Sequence, residues 1–131
     1  MPDEQRSPYQ YALIRVVPRV ERGERINVGV ILLCRPHHYL GARVALDANR
    51  LAAIAPDLDL AAIRPHLDAI ERIAAGDPAA GPIAQLGPAE RFHWLAAPAS
   101  TIIQPSPVHT GLTDDPAAEL EHLVATLVTV T

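Results

Sequence analysis

The chain has 131 residues, nearly half apolar but only five aromatic, which suits one domain with a core of Ala, Val, Ile and Leu. No apolar run approaches the ~20 residues of a membrane-spanning helix. The net charge of −4 argues against a generic nucleic-acid binder, which needs surplus positive charge to displace counterions from phosphates.

That net charge is unevenly spread. Residues 1–50 hold eight Arg and five acids, and residues 51–131 hold three Arg and ten acids, so the halves are expected to pair across the fold. Cys34 is the only cysteine, so neither an internal disulfide nor a cysteine-based metal site can form, and a small buried hydrophobe is expected there. Residues 1–8 read as a flexible leader and 9–131 as a single domain. The polar N-terminus lacks a signal-peptide apolar segment, which sets a cytoplasmic location as the expectation.

Tyr9 to Val17 reads as a strand with two largely apolar faces, hence central in its sheet, with Arg15 the anomaly on one of them. Pro18 ends it. After a charged link centred on Gly23, Ile26 to Cys34 forms a second strand. Simple alternation places Asn27, Gly29, Ile31 and Leu33 on one face. A glycine inside a strand weakens it unless something must approach the backbone closely. Tyr39 to Leu46 completes an antiparallel meander, because the links are too short for crossover helices. His37 and His38, adjacent in the intervening reversal, read as an exposed turn and not as metal ligands.

From Asp47 the apolar period becomes helical. Asp47 caps a short helix that Pro56 stops, and Asp57 or Asp59 caps a longer one bearing Leu60, Ile63, Leu67, Ile70 and Ile73. Pro65 is expected to kink or split this helix, and Gly76 to end it. Pro88 opens a helical turn in which Phe92 and Trp94 are expected to anchor the segment in the core. Ser100 to Gln104 is the fourth strand candidate, followed by the densest polar stretch of the chain. Asp115 and Pro116 start the last helix. The fold class is therefore α+β: a mainly antiparallel sheet of about four strands, with helices packed chiefly on one face.

The candidate site combines Arg15, Arg19, Glu24 and Asn27 of the first hairpin with Ser100, Thr101, Gln104, Ser106, His109 and Thr110 of the late segment. If the fourth strand lies beside the first, both groups reach one end of the sheet. The leading interpretation is a structural network, with Arg15 paired to Glu24 or Asp114 and Asn27 bonded to a loop backbone. An anion- or peptide-binding pocket comes second, with the guanidiniums as charged donors. Catalysis comes last. Ser106 and His109 are the only plausible nucleophile and base, and no Gly-x-Ser-x-Gly elbow surrounds the serine. Catalytic residues stay unassigned, and no metal or cofactor is expected.

The stretches 11–19 (YALIRVVPR), 23–31 (GERINVGVI) and 100–111 (STIIQPSPVHTG) resemble a family of small bacterial proteins of unknown function. The all-arginine basic set, with abundant Ala and Pro, fits a GC-rich bacterial genome. The resemblance implies no reaction. It implies genes that neighbour kinases similar to the HipA toxin kinase, hence such a kinase as a protein partner. Ala99 stands where relatives carry a basic residue. The function expected is a non-enzymatic interaction or regulatory module. The alternative is a small anion- or nucleotide-binding domain or hydrolase built on Arg15, Asn27 and His109. Oligomeric state is not legible at this stage.

Overall fold

The computed structural model describes residues 6–99 and 101–130. Its centre is β1 (Ser7–Val16), which pairs antiparallel with β2 (Ile26–Cys34), itself paired with β3 (Tyr39–Val44), so the expected meander forms. β1 begins two residues before the expected Tyr9, so Ser7 and Pro8 of the segment read as a leader belong to the sheet. On its other side β1 pairs with two short strands in line, β4 (Ile103–Pro105) and β5 (His109–Thr113). The sheet thus has five antiparallel strands.

β5 was not expected from the sequence. Its cause lies in β1. The ten residues of β1 outrun the three of β4, leaving backbone donors and acceptors on the rest of that edge in need of partners. Ser106 bridges the break. Its N–H donates to the Leu13 carbonyl at 2.8 Å, and its Oγ accepts from the Leu13 N–H at 2.8 Å, standing in for a ladder carbonyl.

The sheet has a helical layer on each face, the heavier one on one side. Helices α1 (Ala48–Ile54), α2 (Leu60–Ala74) and α3 (Pro88–Leu95) cover Ile14, Val16, Ile26, Val28, Ile31 and Leu33. Helix α4 (Pro116–Leu127) covers Tyr9, Leu13, Val30, Leu32 and Cys34 with Leu120, Leu123 and Val124. Cys34 is buried and free.

Alternation fails once, at a bulge in β2. Ile14 pairs with Gly29 but Arg15 pairs with Asn27, leaving Val28 extra. The bulge resets the side-chain period, so Ile26 and Val28 join Ile31 and Leu33, whereas Asn27 turns to the α4 side. The expected shared face of Asn27 and Gly29 is therefore corrected. Gly29 also shows what approaches its backbone. A Cβ there would lie 2.7 Å from the Arg43 carbonyl and 2.9 Å from Ile14 Cδ1, so the neighbours are the protein's own.

The caps follow the sequence closely. Asp47 Oδ1 accepts from the N–H groups of Asn49 and Arg50, Asp59 Oδ1 from Ala62 and Asp115 Oδ1 from Ala118. α2 ends where expected: the Asp77 N–H reaches the Arg72 carbonyl over Gly76, whose φ of +74° is left-handed. Pro65, however, neither ends nor splits α2. It stands little more than a turn from the helix start, so it forfeits only the bond to the Ala61 carbonyl. Burial of Ile63, Leu67, Ile73 and Ala74 outweighs that loss. In α3, Phe92 is buried but Trp94 is 52% exposed. Two residues on from Phe92 a helix has turned ~200°, so both rings cannot enter one core.

Tyr9 carries a pH prediction. Its ring lies over Gly111, and its hydroxyl donates to Glu119 Oε2 at 3.1 Å. Burial first, then the charge of Glu119, pushes the phenol from 10.0 up to about 12. The folded chain holds this proton more tightly than the unfolded chain. Its contribution is therefore complete below pH 10.0 and is lost as the pH rises to about 12. Denaturant titrations across that window should show wild-type stability falling more steeply than that of Tyr9→Phe; parallel profiles would refute the assignment.

Candidate functional site

On the α4 face, β1 presents Arg15, half-buried beside Asn27 and Gln104. Arg15 Nε donates to Asn27 Oδ1 at 3.3 Å, and Asn27 Nδ2 donates to the Leu127 carbonyl at 3.1 Å. Arg50 Nη1 reaches the Val128 carbonyl at 3.1 Å. Two side chains from distant parts of the chain thus meet the carbonyls at the end of α4, the negative pole of that helix. The bulge is what aims Asn27 at it.

The expected pairing of Arg15 with Glu24 or Asp114 is not made: Glu24 pairs with Arg22 in the exposed link. Among the described residues no carboxylate pairs with Arg15. Burial, then the neighbouring charge of Arg25, draws its guanidinium below the usual value.

His109 lies opposite Tyr11, its ring tilted against the phenol with centroids 5.2 Å apart. Tyr11 and Arg15 are four residues apart on one strand face, about 13 Å. Arg15 and His109 therefore share a face but not a pocket, and Leu13 and Ser106 stand between them. The Ser106 hydroxyl is occupied, accepting from Leu13 and donating to the Pro107 carbonyl at 2.8 Å, and is not paired with His109. Thr101 Oγ1 donates to the Ile103 carbonyl, and Gln104 Nε2 to the Thr101 carbonyl, closing a local turn. Thr110 is exposed opposite Gln10. Arg19 and Glu24 border a separate shallow cleft of about 570 Å³ between the first link and the α1–α2 connection. Ser100 lies outside the described residues.

A second concavity is on the other face of the sheet. A groove of about 640 Å³ runs between α2, α3 and β4. Ile14 and Ile31 form its floor, Ile63, Ile70 and Ile73 of α2 one wall, and Ile103 and Pro105 the other. Trp94 and Ile102, 52% and 42% exposed, stand on its rim. Among the described residues, His66 and Thr101 are its only side chains with polar groups apart from the indole N–H. Ala99 also lines it. Of the described residues of the expected site, only Thr101 lines this groove. The overlooked signal was the spacing of Phe92 and Trp94, which commits one ring to the outside.

The chain belongs to the DUF3037 family of proteins of unknown function. The family profile matches residues 11–128, from the middle of β1 to just past the end of α4. Comparison with curated proteins and with solved structures finds no match. Among the described residues, no group of three or more His, Cys, Asp or Glu is placed to hold a metal ion, and no helix is long and apolar enough to cross a membrane.

Proposed function

We propose that this DUF3037 chain is a non-enzymatic interaction module whose groove between α2, α3 and β4 receives an apolar segment of a protein partner. The observation that carries this reading is the exposed Trp94–Ile102 rim above a floor of Ile14 and Ile31. An isolated exposed apolar residue is ordinary, but a large ring beside an open aliphatic trough is the arrangement of an interface anchor. Trp94 is also the only tryptophan of the chain. The first partner to test is a kinase similar to HipA, on the strength of the gene neighbourhood that the family resemblance implies; the role would then be regulatory.

The test is co-purification from the native host with wild type and with a Trp94→Asp/Ile102→Asp variant, followed by titration of the purified partner. Both side chains are exposed, so the variant should keep its thermal transition while affinity falls by at least about a hundredfold. Equal affinity for the two proteins would exclude the groove.

One observation supports a second reading, anion capture on the opposite face. Arg15 lies half-buried with its Nε on Asn27 and no carboxylate partner among the described residues, and burial, then the charge of Arg25, lowers its guanidinium. Inorganic phosphate would then raise the melting temperature of wild type but not of a folded Arg15→Ala variant. An equal rise in both would reject it.

A further inference from the structure

The outer edge of β5 is built to pair with another strand. Leu13 turns both its N–H and its carbonyl toward Ser106. Backbone groups alternate along a strand, so Tyr11 and Tyr9 turn theirs the same way, toward His109 and Gly111. These are the hydrogen-bonded pairs. Gln10 and Pro8 face β2 instead, and the Pro8 carbonyl indeed lies 3.6 Å from Cys34 Sγ. Thr110 and Leu112, opposite Gln10 and Pro8, therefore aim their N–H and carbonyl groups away from the sheet. Among the described residues no backbone group meets them.

Natural edge strands are commonly blunted by charge. Here no residue from Pro105 to Thr113 carries a formal charge, counting His109 as neutral. Val108 and Leu112 are 42% and 52% exposed beside this edge.

We propose that this edge pairs antiparallel with the same edge of a second copy of the chain, about a twofold axis at Thr110. In that register the outward backbone groups of Thr110 face those of the partner subunit's Thr110. Val108 lies across from Leu112 of the partner subunit, and the symmetry repeats the contact. A neutral strand brings no like charges together across the axis, the condition self-pairing requires. The two sheets become one continuous sheet. This inference stands apart from the groove, which lies beyond β4.

Sedimentation velocity over a concentration series tests it, using wild type, Leu112→Lys and Thr110→Pro. Leu112→Lys places like charges near the axis on an exposed residue. Thr110→Pro removes an outward N–H that the fold does not use. Wild type should pass from the 14.1 kDa monomer to twice that mass. Each variant should weaken association by at least about tenfold at an unchanged thermal transition. If Thr110→Pro fails to fold, Leu112→Lys alone decides. A wild type that stays monomeric throughout, or a Leu112→Lys variant that dimerises as tightly as wild type, overturns the proposal.

Discussion

Gly29→Val should destabilise the domain by about 3 kcal/mol, a large part of the ~5–15 kcal/mol that holds a typical domain together. A Cβ at this position would already lie 2.7 Å from the Arg43 carbonyl and 3.3 Å from Val44 Cα, backbone atoms of a neighbouring strand that cannot rotate away. The third neighbour, Ile14 Cδ1 at 2.9 Å, belongs to a buried side chain on the groove floor. Relief requires β3 to separate from β2 or the bulge to be lost. Loss of the bulge would turn Asn27 away from α4 and leave the Leu127 carbonyl without its donor. Gly29→Ala should show a smaller effect of the same sign. Urea unfolding reads both, and a Gly29→Val midpoint equal to wild type would contradict the packing described here.

Phe92→Ala should cost about 3–5 kcal/mol, and Trp94→Ala less than about 1 kcal/mol. The rings are two residues apart on α3, yet Phe92 is 1% exposed and Trp94 52%. Phe92 is the only phenylalanine, and the core on its side of the sheet is otherwise aliphatic, so its removal leaves a cavity that no neighbouring aromatic can refill. The contrast separates core from rim by a measurement independent of any partner. Similar losses at both positions would mean that Trp94 is packed, and the groove would lose its rim.

Much of the fold follows from local rules that the sequence expresses directly. Asp47, Asp59 and Asp115 cap helices because a short carboxylate before an apolar period has backbone N–H groups within reach. The meander follows from link length. The features that escaped are set by long-range partners. β5 exists because β1 outruns β4, a comparison of two strand lengths that neither strand states alone. The bulge at Val28 and Gly29 is decided by the approach of Arg43 and Ile14. Pro65 stays helical because Ile63 and Leu67, two residues to either side, are buried.

The candidate site was legible only as a set of polar residues. Arg15, Asn27, Ser106 and His109 do lie on or beside β1 and its partners, but Arg15 Nε, both amide atoms of Asn27 and the Ser106 hydroxyl meet the chain itself, and the His109 ring packs on Tyr11. The groove is apolar, and it read as ordinary core because Ile14, Ile31, Ile63 and Ile73 are buried and, of its large apolar side chains, only Trp94 and Ile102 on the rim are exposed.

The most direct test of the groove as the recognition surface is backbone hydrogen exchange of the full chain, alone and with its co-purified partner. Protection should appear in α2 and α3 and along residues 101–105, leaving the outer surface of α4 unchanged. Protection confined to the α4 face, around Arg15, Asn27 and His109, would contradict the account.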